Sequence, residues 1–532
     1  MRLNEHQARA AAAPEARVVT VAGAGTGKTQ TLAHRTVFLC QRHDRVRLCG
    51  YTRASAEEIR ARVDRIAPGL EVQAGTVHSI AAEVCRTLLH LLSEYRMGFT
   101  IVDGVEEDRI KRDARKAKQD VERVLVEAAL LRYDDLLRLA LRLAEEQPEA
   151  FAEFTGGALI VDEAQDLNRA QWALVAALRP ESLTVIGDPA QSIFGFQGAC
   201  GWALADRERA AAEMPEVFEG ARWYALPTNY RSGQTILDVA NRLDVPGLVH
   251  LEAARGPGGT VREMGGSSEK MLRALTGWIV RGWEQGEKWA ILSRTRRRAQ
   301  WLVKYLKERG VPVHAPGLGE SIWASEPARQ LLDAFHVVVH PHGTLHLERV
   351  LRRSGMTELQ LARAAAARSG LDGQSLWNWA VSSMDRSSAP YRAIYVLGEL
   401  REGMLASATE AAKALDALGL APGAPVDSIP EGWTIPQMLT ILASPGRHEE
   451  QPEGVVYVGT LHSAKGREWD NVVLFGCEDG AFPLERAVRE GGLDEERRLF
   501  YVAVTRARDQ LVMVRSASRE QEPSRFLAEV AA

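Results

Sequence analysis

Short runs of consecutive apolar, mostly β-branched residues recur along the chain, each followed by a longer stretch with helical spacing. Arg17–Ala22 (RVVTVA) runs into a glycine turn, and Thr29 to about Gln41 carries apolar residues at helical intervals. Gly157–Val161 (GALIV) and Ser182–Gly187 (SLTVIG) are two more such runs, each ending in acidic or glycine residues. A second set begins near Trp223, with Trp289–Leu292, Val455–Val458, Asn471–Phe475 and Gln510–Val514. Apolar strands without alternation, separated by helices, predict parallel sheets covered on both faces. Two α/β units are expected.

Two regions break this rhythm. From about Leu88 to Glu127 the chain is helical and charged, and from about Glu326 to Gln451 it is again helix-dominated, with Gly/Pro-rich connectors such as Gly419–Pro430. Both predict helical insertions. The expected division is a first core of residues 1–87 and 127–220 with insertion 88–126, and a second core of 221–325 and 452–532 with insertion 326–451. Gly256–Gly266 predicts a surface loop, and no internal repeat or low-complexity tract is found.

Composition narrows the class. At 532 residues, 45% hydrophobic and 26% charged, the chain has the balance of a globular protein of several domains, not a disordered or fibrous one. No run approaches the apolar length of a membrane span, and MRLNEHQARAAAAPEAR has no signal-peptide core. Five scattered cysteines (Cys40, Cys49, Cys85, Cys200, Cys477) argue against a disulfide framework, a zinc site or an iron–sulfur cluster. A cytoplasmic protein is expected. The net charge of −4 gives no bulk nucleic-acid signature, but a cleft needs only local positive charge.

Ala22–Thr29 reads AGAGTGKT, between an expected strand and an expected helix. Glycines there let backbone N–H groups turn inward around phosphates, and the helix N-terminus adds its dipole. Lys28 would reach the β- and γ-phosphates and Thr29 would ligate Mg²⁺, although the strict P-loop pattern has Gly where Ala22 stands. The alternative is a glycine turn that only caps a helix. Leu159–Asp166 (LIVDEAQD) is an apolar strand delivering Asp162, to hold the metal, and Glu163, to orient or deprotonate the attacking water. Alone, such an acidic pair is as well explained as the favourable start of a helix. Hydrolysis also needs positive charge at the γ-phosphate, and Arg231 (LPTNYRS) and Arg506 (FYVAVTRAR) are the candidates, each equally readable as a salt-bridged arginine. Both lie in the second unit and would act across a cleft between cores.

With these motifs in this order, the sequence resembles the UvrD/Rep/PcrA family of superfamily 1A DNA helicases over nearly its whole length. The supporting segments are LNEHQ, AGAGTGKT, GYTRASAEEIRARV, GTVHS, YDDLL, LIVDEAQD and VIGDPAQSIFGFQGA. LPTNYRS, AILSRTRRRAQWL, VGTLHSAKGREWDNV and EERRLFYVAVTRAR follow in the second unit. The resemblance implies two RecA-like P-loop NTPase domains with two helical insertions, and ATP- and Mg²⁺-driven 3′→5′ movement on single-stranded DNA with separation of tailed duplexes. By position it implies a hydrolysis site of Lys28, Thr29, Asp162, Glu163, Gln191 (sensing the γ-phosphate), Arg231 and Arg506. The nucleotide would be held by Gln7 at the adenine edge, the loop Ala22, Gly23, Ala24, Gly25, Thr26, Gly27, Lys28, Thr29 and Gln30, Tyr230 stacked on adenine, and Glu468 on the ribose. DNA would meet Tyr51, Thr52, His78, Phe194, Phe196, Arg294, Thr460 and His462. Aromatic faces stack on any base, which suits a motor that does not read sequence. Taken singly, Phe194 and Phe196 fit a core role as well, and His78 and His462 a structural one.

Departures from the family pattern bear on base selection and coupling. Gln30 replaces the usual arginine beside the base, and Gln197 the arginine of GFRGA, where Phe196 stands for the commoner Trp. Both insertions are shorter than usual, and the duplex-binding Gly-Ile-Gly turn reads Ser354-Gly355-Met356-Thr357. No nuclease motif follows Arg506. An alternative role is therefore a motor or ATP-state sensor in a nuclease-containing complex, as in Gabija-type antiviral defence, or beside a repair partner. A DNA-binding scaffold without hydrolysis and an RNA helicase are further alternatives. Arg109–Lys118 (RIKRDARKAK) could hold backbone phosphates or form a solvated helix face; Arg294–Arg298 (RTRRR) is the better strand-contacting cluster.

Overall fold

The computed structural model describes residues 2–92, 99–102, 104–117, 120–127, 130–266, 268–284, 286–318, 323, 325–339, 344–357, 359–361, 364, 376–403, 407–429, 431–443, 451–452, 454–516 and 522–531. Lys118, which ends the basic run, lies outside them. The chain packs as two compact units, one of residues 1–79, 154–319 and 448–532, the other of residues 80–153 and 320–447.

The first unit holds two six-stranded parallel sheets. One is built from β1 (Arg17–Ala22), β2 (Val46–Cys49), β3 (Gln73–Gly75), β4 (Ala158–Val161), β5 (Ser182–Gly187) and β6 (Arg222–Leu226), in the order β3-β2-β4-β5-β1-β6. The other is built from β7 (Thr260–Gly266), β8 (Trp289–Ser293), β9 (Val313–His314), β10 (Val456–Thr460), β11 (Trp469–Phe475) and β12 (Ala507–Ser516), in the order β7-β12-β11-β8-β10-β9. The strands β5, β8 and β11 are buried along their whole length, as strands covered by helices on both faces must be. These are the two α/β units expected from the apolar runs, and they match the two RecA-like domains that the resemblance implies.

Two expectations are corrected. Arg222–Leu226 (RWYAL) is the outer strand of the first sheet, paired with β1, so the first core continues past the boundary at 221. Its burial is partial and its residues are not β-branched, which hid it. Thr260–Gly266 is not a loop but the edge strand β7, paired with β12 through seven residues. Its glycine-rich flanks masked a mostly solvent-facing strand.

The chain crosses from the first sheet to the second once, after β6. Residues 80–153 leave and rejoin the first sheet's sequence, and 320–447 leave and rejoin the second's.

Among the described residues the second unit is helical apart from a two-residue parallel pair, Thr100–Ile101 with Leu130–Leu131, and one isolated bridge between Ser407 and Thr434. Its main core gathers Leu331, Leu332, Phe335, Leu351, Trp377, Leu397, Leu415 and Met438. Asp333, 1% exposed, is its electrostatic centre. It meets His346 Nδ1 at 3.0 Å, Arg353 at 2.6 Å, Arg349 at 3.4 Å and Arg109, from the other segment of this unit, at 3.6 Å. Among the described residues no helix is long and apolar enough to cross a membrane.

Candidate nucleotide and nucleic-acid site

In an open parallel sheet, ligands bind beyond the carboxyl ends of the strands. Three of the first core's motifs emerge there: the glycine loop after β1, Asp162 and Glu163 after β4, and Asp188 to Gln191 after β5; Asn229 to Arg231, expected in the second unit, follow β6 of this same sheet. Ala22 is the last residue of β1 and fully buried, so a small side chain suffices where the strict pattern has glycine. Gly25 (φ 65°) and Gly27 (φ 76°) adopt the left-handed conformation. A Cβ on Gly27 would lie 2.7 Å from Gln7 Nε2, and one on Gly25 would lie 2.7 Å from Asn229 Nδ2. Gly27 caps the helix Lys28–Cys40 without any side-chain acceptor, leaving its first N–H groups for an anion.

Gln7 does not point an unoccupied amide outward. Its Nε2 donates to the Thr26 carbonyl at 2.9 Å, while its Oε1 accepts from Asn4 N at 3.0 Å. It braces the loop from behind. Tyr230 stands at the loop's edge, its N–H on the Gly25 carbonyl and its hydroxyl held by Asn4 Nδ2 at 2.8 Å. Thr29 and Gln30 lie half-buried in the first turn of the helix.

Lys28 Nζ is 3.8 Å from Glu163 Oε1. Glu163 has φ 50°, unusual for a non-glycine residue and a sign of backbone strain held in place by its surroundings. Burial pushes its carboxyl up, but Lys28, Lys465, the Gln165 amide (2.6 Å) and Arg506 outweigh this and keep it ionised. Asp162 is shifted the other way, upward, by burial and by the adjacent Glu163 charge. Its Oδ1 is buried without a hydrogen-bond partner. An orphaned carboxylate oxygen within the field of Lys28 of the glycine loop fits a divalent cation. Mg²⁺ typically takes one or two carboxylates plus phosphate and water rather than an all-protein cage.

The second lobe closes over this edge. Arg506 Nη2 donates to Gln191 Oε1 at 3.1 Å, and its other donors reach the carbonyls of Val502 (2.9 Å) and Arg467 (3.2 Å). Burial, then the Arg231 charge, brings its pKa down to about 9, so it stays protonated near neutrality. Arg231 donates to Glu468 at 2.6 Å and to the Thr505 carbonyl at 3.0 Å. Tyr501 spans the seam between the Ala24 N–H and Asp188 Oδ2, both at 3.4 Å.

The residues matched to DNA contact divide. Tyr51 stacks on Phe194 (5.6 Å, 9° between planes), Phe194 meets Phe196 edge-on at 6.1 Å, and Phe196 meets His462 of the second lobe at 6.1 Å. These four form one aromatic ladder across the seam, with Phe196 68% exposed. Burial, aided by Arg294 and Lys465, lowers His462 to about 4, so it offers a neutral ring rather than a charge. Thr460 accepts from the Ser463 N–H at 3.3 Å, on the same turn as His462. Thr52 uses its hydroxyl to cap the helix Arg53–Ile66, and His78 Nδ1 lies 3.4 Å from Gln171 Nε2. Arg294 is committed to a fork on buried Glu496 (2.9 and 2.5 Å).

Several residues at the centre were not singled out from sequence. Asn229, fully buried, donates to the Ala24 carbonyl at 2.6 Å and accepts from the N–H groups of Arg231 and Ser232, both at 2.8 Å. Gln165 joins Glu163 to the Asp188 N–H. Both sit inside quoted motifs, LPTNYRS and LIVDEAQD, and their being buried amides beside functional residues was the available signal.

A glycine cradle, an ionised and a metal-competent carboxylate, the Arg231 guanidinium on the crossing segment and the Arg506 guanidinium from a second RecA-like lobe define a P-loop nucleotide hydrolase of the two-lobed type. A family model described as an AAA domain matches residues 5–197, and one described as the UvrD-like helicase C-terminal domain matches residues 435–518. The chain is similar to the "ATP-dependent DNA helicase PcrA" of Staphylococcus epidermidis, 24% identical with 99% of this chain and 86% of the relative covered. It is similar also to those of Staphylococcus aureus (24%, 99% and 86%) and Leuconostoc citreum (25%, 99% and 84%). Together these matches support a UvrD/PcrA-like superfamily 1 helicase.

Proposed function

We propose that the protein is an ATP-dependent DNA helicase that moves 3′→5′ on single-stranded DNA in the cytoplasm. The observation that carries this is the contact of Arg506, in the second lobe, with Gln191, in the first, beside an aromatic ladder spanning the same seam. In this reading Lys28 and the loop N–H groups hold the phosphates, and Tyr230 and Glu468 face the base and ribose. Thr29 and Asp162 hold Mg²⁺, which when bound neutralises phosphate charge. Glu163, ionised, orients the attacking water, and Gln191, Arg231 and Arg506 stabilise charge on the transferred phosphoryl group. Phe194, Phe196 and His462 offer stacking faces to successive bases, each worth roughly 1–3 kcal/mol. The names of the PcrA relatives support this reading. It is tested by unwinding of 3′-tailed against 5′-tailed duplexes: at least tenfold preference for the 3′ tail is expected, and equal rates or the reverse preference would overturn the polarity.

A second reading, a motor subunit that unwinds weakly without a nuclease or repair partner, is favoured by the turn at 354–357. Ser354, Gly355 and Met356 donate their N–H groups to the carbonyls of Val350, Arg352 and Leu351, and Thr357 donates to Gln360 Oε1. All four donors are spent within the turn, leaving none for duplex phosphates. Robust unwinding by the purified chain would count against it.

A further inference from the structure

Lys465 follows His462 by three residues and belongs to neither set of residues above. Its Nζ lies at the meeting point of three features of the other lobe. It pairs with Asp166 Oδ2, donates to the Gln191 carbonyl at 2.7 Å, and stands 4.9 Å from the centre of the Phe194 ring. Asp166 is a buried carboxylate whose other oxygen has no partner, so the ammonium is its one ionic contact among the described residues. Burial raises the Asp166 pKa to about 6 and Lys465 opposes that rise. The same carboxylate accepts from Gln165, which also holds Glu163. One ammonium therefore touches an aromatic face of the ladder, the backbone of the residue that meets Arg506, and a carboxylate one amide away from Glu163.

We propose that Lys465 is a positioning residue that transmits strand occupancy of the aromatic ladder to the nucleotide site. This rests on the proposed DNA-motor function. A cation over an aromatic ring responds to what else the ring touches, because a base stacked near Phe194 changes both its position and its hydration. A buried ion pair tolerates little displacement, since a carboxylate without its partner is costly in a water-poor setting. Movement of Phe194 is thus passed to Asp166, and through Gln165 to Glu163, while the Gln191 carbonyl is held or released at the same moment. The lobes need not close further for the signal to pass; the ammonium has only to keep or lose its three contacts.

The test is the ratio of DNA-stimulated to basal ATP hydrolysis in the full chain, with oligo(dT) as the strand. Lys465→Met is expected to lower the ratio at least tenfold, and Lys465→Arg to restore it to within threefold of wild type. Nucleotide-free affinity for oligo(dT) is expected to change less than threefold. Because Lys465→Met leaves Asp166 buried and unpaired, Lys465→Met with Asp166→Asn removes both charges together and is expected to fold with the ratio still low. An unchanged ratio in the double variant, or a parallel loss of strand affinity, would overturn the proposal. Absence of stimulation in the wild-type protein would instead overturn the function on which it rests.

Discussion

Replacing Arg506 by alanine is expected to lower DNA-stimulated ATP hydrolysis by about 10³-fold or more, the range for losing an arginine that neutralises a transferring phosphoryl group. Arg506 is buried, protonated and fixed by the Val502 and Arg467 carbonyls, with one nitrogen left to meet Gln191 across the seam. A group held this firmly contributes without reorganising. Arg506→Lys is expected to recover little, because a lysine ammonium cannot keep the two carbonyls and Gln191 with the spread of a guanidinium. Strand affinity without nucleotide should change less than threefold, which separates this residue from the DNA ladder. Lys28→Ala in the same assay should show a loss of similar size, since Lys28 opens the helix after the glycine loop, on the lobe facing Arg506. Hydrolysis by Arg506→Ala within tenfold of wild type would remove Arg506 from the site.

The second large effect concerns the helical unit. Asp333→Ala is expected to destabilise it by roughly 3–5 kcal/mol, the cost of leaving buried charges without their partner. Hydrogen exchange over the helices Glu326–Val339 and Thr344–Arg353 would read this directly. Burial alone would raise the Asp333 pKa, but the His346 hydrogen bond and the charges of His346, Arg349 and Arg353 prevail and hold it well below its ordinary 3.8. A depressed carboxyl pKa gives stability that is present above the unfolded-state value and is lost as pH falls through the folded one. The difference between wild type and Asp333→Asn should therefore be full near pH 7 and shrink below about pH 4. A difference independent of pH would assign the effect to packing instead.

How far the sequence alone reaches follows from these residues. Strands such as Ser182–Gly187 and Asn471–Phe475 are legible because burial on both faces leaves short runs free of charge and rich in apolar and β-branched residues. Arg222–Leu226 and Thr260–Gly266 are not, because outer strands are only partly covered and need no such run. The glycine loop and the Asp162–Glu163 pair are local chemistry and can be read directly. Gln7, Tyr230, Glu468 and the ladder could be named only through family resemblance, since each matters by what lies far from it in sequence. Asn229, Tyr501 and Lys465 escaped for the same reason: their partners are Ala24, Asp188 and Asp166, hundreds of positions away.

The single crossing between the sheets begins at Pro227 to Ser232, which lies directly against the glycine loop. Asn229 ties it to the loop at Ala24, and Ser232 ties it to Ala507 at 2.6 Å. A jaw whose pivot sits in its own mouth cannot widen evenly. Separation would grow with distance from Asn229, so parting lobes would break the Arg506–Gln191 contact while Tyr230 and Arg231, next to the pivot, still lie against the glycine loop.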